Sequence, residues 1–183
     1  MNTRNLSIPA LLLPVVLSAQ VRYATRTGET SFFSATPVEN ISAVNHKVAS
    51  VFDVTSGAVE LSMLMKAFEF EKALMQEHFN ENYMESNTYP KGVFKGKVTG
   101  FTVDDLSKPG KHDVTLEGDL TMHGVTQHRT LKATVTVQPN GALHAECDLV
   151  VRPEEYKITI PNLVRGQIAE EIQVKVRIDY LKM

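Results

Sequence analysis

The chain has 183 residues, 43% of them hydrophobic and 22% charged, which is ordinary composition for one folded domain. Its 19 Lys and Arg stand against 21 Asp and Glu, a formal net charge of −2 with no long run of either sign. That balance lacks the basic footprint of a nucleic-acid binder, and a single cysteine, Cys147, excludes an internal disulfide.

At the amino end one cation, Arg4, precedes a mostly apolar stretch from Leu6 to Leu17, which closes on the small residues Ser18 and Ala19. This is the layout of a secretory signal peptide over residues 1–19. Pro9 and Pro14, and a run shorter than the ~20 residues that a bilayer span needs, speak against a stable membrane span. A buried apolar first strand is the alternative. On the leader reading the protein is exported, and residues 20–183 form a single domain.

Beyond the leader the dominant period is two, the mark of antiparallel strands with one buried face. Strands are predicted near Thr30–Ala35 and Ile41–Val54. In the next run Val59, Leu61, Met63 and Met65 alternate with Glu60, Ser62 and Lys66. The alternation then breaks: residues 70–84 are rich in helix formers and hold no Gly or Pro. Phe70, Ala73 and Leu74 share one stripe, and Met75, Phe79 and Tyr83 follow at i, i+4, which predicts one short helix.

A strand near Val93–Val103 comes next. Val114, Leu116, Leu120 and Met122 then alternate with acids and threonines, and Leu131, Ala133, Val135 and Val137 with Thr and Lys. Pro139-Asn140-Gly141 reads as a hairpin turn. Leu143, Ala145, Cys147 and Leu149 share one parity, so Cys147 reads as a buried structural thiol. A strand near Tyr156–Ile160 and a closing one through Ile172, Val174, Val176, Ile178 and Tyr180 complete about eight. Many short alternating strands imply a sandwich or a closed up-and-down barrel.

Positive signs of catalysis are scarce. His123 and His128 flank Gly124, but the residues beside them supply no carboxylate or thiolate, and Arg129 would repel a cation, so a polar turn is expected rather than a metal site. His78 lies on the predicted helix beside Glu77 and one turn from Glu81, half of a general-base or metal site at most. A structural role, such as a hydrogen bond at the rim, is expected of it. No nucleophile triad, phosphate loop or zinc-protease pattern occurs. No metal, cofactor or catalytic residue is predicted.

Three stretches carry a family resemblance: residues 77–98 with His78, Tyr89-Pro90 and Val93-Phe94; Gly118–Thr126; and residues 155–160 followed by 170–181. In this order they resemble the YceI-like family of exported bacterial lipid-binding proteins, the second stretch nearly residue for residue. The chain departs at Met75-Gln76, where the family has an Arg-Asp or Arg-Asn pair. The resemblance implies an eight-stranded antiparallel up-and-down β-barrel, lipocalin-like, around a long apolar pocket for polyisoprenoid chains such as quinone tails. It implies an exported, most simply periplasmic, protein without a cofactor other than such a lipid, whose protein partners stay unassigned. His123 becomes part of a structural turn.

The barrel would be lined by Val59, Leu61, Met63, Met65, Val114, Leu116, Leu131, Val135, Leu149, Val174 and Val176, each on the apolar parity of its segment. His78 would offer a polar contact near the mouth. The expected function is non-enzymatic binding, storage or transport of an apolar lipid. Two rivals remain: an enzyme acting on a bound amphiphile through His78 and Glu77 or Glu81, and a filled barrel that serves protein interaction.

Overall fold

The computed structural model describes residues 20–183, so the predicted leader lies outside the described residues. The alternating runs become strands β1 (Arg22–Ala35), β2 (Asn40–Asp53), β3 (Ala58–Leu64), β4 (Glu69–Phe70), β5 (Lys91–Thr99), β6 (Gly110–Met122), β7 (Val125–Val137), β8 (Leu143–Val151) and β9 (Ile172–Lys182). The sheet order β1-β9-β8-β7-β6-β5-β3-β2, closed by β1 against β2, is an eight-stranded antiparallel barrel of up-and-down connectivity; β4 is an extra strand on β2. Register shifts in β1 between Thr25 and Thr30 bend it, so that it pairs with β2 on one side and β9 on the other. Gly96 faces Gly118 across β5 and β6: a Cβ on Gly96 would lie 2.7 Å from the Phe94 ring, and one on Gly118 would lie 2.4 Å from the Gly96 Cα, so the two strands approach too closely here for side chains.

The two barrel ends differ. At one, Tyr23, Phe52, Val137, Leu143, Ile178 and Tyr180 pack with Phe101 of the β5–β6 connection into a buried floor. Phe52 lies 6.2 Å from both Phe101 and Tyr180, ring centre to ring centre. At the other end the β1–β2 loop, the segment between β3 and β5, the β6–β7 turn and the long β8–β9 connection surround an opening.

The helical segment is shorter than predicted. Glu69 and Phe70 pair with Val44 and Ala43 as β4, helix α1 covers Ala73–His78, and Phe79–Tyr83 continues as a π turn. The cause is aromatic packing: Phe32, Phe68, Phe70 and Phe79 gather with centroids 5.1 to 5.7 Å apart, which draws Phe70 out of the helix and onto the sheet. Leu74, which shares a predicted stripe with Phe70 and Ala73, is 62% exposed.

Three more expectations are corrected. The strand near Val93–Val103 stops at Thr99, because Gly100 adopts φ +88° and Val103–Ser107 forms a 3-10 turn. Met65, predicted on the strand parity, begins a 3-10 turn just after β3, although it is fully buried. No strand forms at Tyr156–Ile160: Pro153–Tyr156 is a 3-10 turn, and Lys157 is left-handed with φ 57°. That segment fills a seam. The β7–β8 ladder ends at Ala133 opposite Cys147, leaving Val125–Lys132 without a β8 partner. Tyr156 is buried against this stretch, Gln127 Nε2 donates to the Glu155 carbonyl at 2.8 Å, and Arg129 forms an ion pair with the Glu155 carboxylate.

The tightest hairpin is at His123-Gly124 and not at Asn140-Gly141. Met122 pairs with Val125, and φ is +50° at His123 and +72° at Gly124, a two-residue turn with both central residues left-handed. A Cβ on Gly124 would sit 2.7 Å from the Tyr89 ring, whereas nothing lies within 4 Å of one on Gly141 (φ +80°). Gly141→Ala should therefore cost about 1 kcal/mol of stability from backbone conformation alone, and Gly124→Ala roughly 2–3 kcal/mol because Tyr89 must also move. Denaturant unfolding of both variants checks this; equal losses would mean that the Tyr89 contact carries no weight.

Candidate ligand-binding cavity

A closed sheet sends one parity of every strand into a common space, and here that space is not filled. The interior holds a cavity of about 600 Å³ whose wall is almost entirely carbon. Val59, Leu61 and Met63 of β3, Val114 and Leu116 of β6, Leu131 and Val135 of β7, Leu149 of β8, and Val174 and Val176 of β9 all line it, as does Met65 from the turn after β3. Such a volume lies within the usual range of small-molecule pockets.

The mouth was largely hidden in the sequence. Phe32 and Phe79 line it through the aromatic group, and Val164, Gln167 and Ile168 reach it from the β8–β9 connection, which shows no strand or helix period. Ala169 N–H donates to Ser34 Oγ at 2.9 Å and fastens that connection to the end of β1. Lys72 Nζ pairs with Glu39 at 3.1 Å, joining the β1–β2 loop to the start of α1 and neutralising both charges beside the opening.

His78 also borders the cavity, but it is exposed, and its Nδ1 accepts from Asn82 Nδ2 at 3.0 Å. The hydrogen bond expected of it at the rim is thus an exposed one, to its own helical segment. Neither Glu77 nor Glu81 is a partner of this ring among the described residues.

His123 and His128 are not brought together. His128 points outward, 2.8 Å from Asp119 and 3.3 Å from Glu117 on β6. Hydrogen bonds to Asp119 and then Glu117 raise its pKa. The carboxylates that the local sequence lacks come from the facing strand, but an exposed pair of this kind contributes little.

His123, with a side chain 9% exposed, acts as a bolt at the open end. Its Nδ1 lies 3.0 Å from the Tyr156 carbonyl, which can only accept, so Nδ1 carries the proton there. Nε2 lies 3.3 Å from Glu85, and Tyr89 packs on the ring at 4.6 Å. Among the described residues the non-glycine positions with positive φ are Glu85, His123 and Lys157; His123 contacts Glu85 and the carbonyl of Tyr156, which precedes Lys157. Sequence spacing could not reveal the contacts; the hint was a His-Gly pair where a tight hairpin favours left-handed residues.

Inside, polar atoms are few. Ser50 donates its one hydroxyl proton to the Glu60 carbonyl at 2.8 Å, so the Tyr180 hydroxyl must donate to Ser50 at 2.7 Å. Burial pushes the Tyr180 phenol up to about 12. Burial likewise pushes the Cys147 thiol up to about 11, and its Sγ faces the Lys132 carbonyl at 3.6 Å, a resting place for a protonated thiol and not for a nucleophile. Thr30 Oγ1 is, among the described residues, the buried side-chain polar atom without a hydrogen-bond partner.

A family model described as YceI-like domain matches residues 18–180. No curated protein matches the chain by sequence. Among solved structures, a polyisoprenoid binding domain from Saccharophagus degradans is similar at a TM-score of 0.75 and 12% identity, covering 88% of this chain and 98% of that one. Burkholderia cenocepacia BcnA is similar at 0.69 and 15% identity, covering 84% of this chain and 96% of the other. Campylobacter jejuni YCEI protein aligns at 0.54 and 12% identity, over 100% of this chain and 99% of that one. At these identities the likeness speaks for the fold. Among the described residues, no helix is long and apolar enough to cross a membrane.

Replacing Thr30 by the isosteric valine should raise stability by about 1 kcal/mol, since a buried hydroxyl without a partner costs its desolvation. Thermal and denaturant unfolding check this, and a loss of stability would show that the hydroxyl has a hydrogen-bonding role in the folded chain.

Proposed function

The chain belongs to the YceI-like domain family, and from that membership and the shape of its interior we propose that it binds one apolar, polyisoprenoid-type lipid inside the barrel as a carrier or store. The observation that carries this reading is the 600 Å³ cavity with a carbon wall, open at one end only. Each CH₂-sized group taken from water into such a space gains about 0.8 kcal/mol, so a long tail needs no elaborate polar recognition. Met63, Met65 and Met122 supply polarizable, adaptable contacts to a methyl-branched chain. The solved Saccharophagus domain, named for polyisoprenoid binding, supports the choice of ligand class.

The reading is non-enzymatic. Of the titratable groups that border the cavity, Cys147 and Tyr180 are buried in protonated form, Glu39 and Glu146 are held in ion pairs with Lys72 and Arg177, and His78 at the rim bonds to Asn82 and to no carboxylate. The filled-barrel rival loses its basis in the cavity itself. The leader-like sequence over residues 1–19 supports export, and hence action outside the cytoplasm.

Ala133 lies on the inward face of β7, borders the cavity and is only partly buried, so its substituent has room. Ala133→Phe should place a ring in the cavity at no more than roughly 1–3 kcal/mol of stability. Titration with a fluorescent prenyl probe should show binding weakened at least about tenfold in this folded variant, in line with several displaced CH₂ groups. A folded Ala133→Phe protein that binds as well as the parent would place the ligand elsewhere.

A further inference from the structure

An interior closed at its floor must exchange ligand through the rim, and the rim carries apolar side chains that nothing in the barrel covers. Leu163, in the β8–β9 connection, is 93% exposed, Val38 in the β1–β2 loop is 69% exposed, and Leu74 on α1 is 62% exposed. They come from separate segments but surround one opening. Glu39 beside Val38, Leu74 itself and Val164 beside Leu163 all border the same cavity. The Lys72–Glu39 ion pair and the Ala169–Ser34 hydrogen bond hold the three segments together.

We propose that this rim docks on a lipid bilayer with neutral, zwitterionic headgroups, and that ligand passes between bilayer and cavity through the contact; this rests on the lipid-binding reading above. Continuity decides for a lipid surface. Leu74 borders the carbon-walled interior, and Val38 and Leu163 each sit one residue from its lining, so a tail leaving a bilayer there has a short path into the cavity. Charge decides against an anionic surface. Between Arg152 and Glu171 the acids Glu154, Glu155, Glu170 and Glu171 outnumber Arg152, Lys157 and Arg165, and between Glu69 and Glu85 five glutamates stand against Lys72 alone. A few apolar side chains without basic support give weak, reversible attachment, which suits a protein that must leave the surface again.

The test uses Val38→Asp/Leu163→Asp; both residues are exposed, and neither borders the cavity. A fluorescent farnesyl probe is offered to the full chain in phosphatidylcholine vesicles, and separately by dilution from ethanol. For the parent, transfer from vesicles should speed up with vesicle concentration. In the variant it should slow about tenfold, as loss of two inserting side chains predicts, while affinity for the diluted probe stays the same. Equal transfer rates in parent and variant, independent of vesicle concentration, would mean passage through water and overturn the proposal. Self-association of the parent in sedimentation, abolished in the variant, would overturn it by assigning the rim to a second copy. Failure of the parent to bind the diluted probe would overturn the lipid-binding reading itself, and docking with it.

Discussion

Closure of the sheet by β1, which pairs with both β2 and β9, is the constraint on which the other features depend. An open sheet with these strands would need a second layer to cover its apolar face. A closed one covers that face with itself, and eight strands enclose just enough room for side chains or one small ligand. Which of the two results is decided by side-chain size. Here β3, β6 and β7 turn Val, Leu, Met and Ala inward rather than a full set of aromatics, and β5 and β6 contribute Gly92, Gly96 and Gly118. Apart from Phe94, whose ring lies against Gly96, the inward aromatic residues gather at the two ends.

Those ends divide the work. The floor closes with Phe52, Phe101, Tyr23 and Tyr180, whose hydroxyls are spent on Gly141 and Ser50. At the open end polar contacts hold loops in place around a passage. His123 joins the β6–β7 turn to Glu85 and to the Tyr156 carbonyl, and Arg129 with Glu155 seals the place where β7 and β8 part. Positive φ at Glu85, His123 and Lys157 concentrates backbone strain at one junction, which persists because neighbouring contacts over-determine it. The rigidity of the mouth therefore rests on hydrogen bonds and ion pairs, whereas the interior offers almost nothing polar to bind.

The period-two runs carried most of the fold in plain view. Inward parity on β3, β6, β7, β8 and β9 could be read from Val59 to Val176 because half-buried strands alternate strictly. What escaped was set by contacts distant in sequence. Phe70 reads as helical by its neighbours but is held by Phe32 and Phe79, and Ile158 reads as a strand residue although Lys157 turns the chain. Asn140-Gly141 looks like the better hairpin signal, yet the shorter turn is His123-Gly124, where a histidine tolerates left-handed backbone because Tyr156 and Glu85 hold its ring. The mouth residues Val164, Gln167 and Ile168 lie in a connection without period, so only the folded chain shows that they border the same cavity as the helix and that Ala169 beside them is tied to β1.

The central claim is that an apolar chain occupies the barrel interior. Its most direct test is to purify the protein from its native source without detergent, extract it with organic solvent and identify the extract by mass spectrometry. The predicted result is a prenyl-chain lipid in near one-to-one ratio with protein. Extracts free of apolar ligand, from protein that also fails to take up added prenyl lipid, would contradict it.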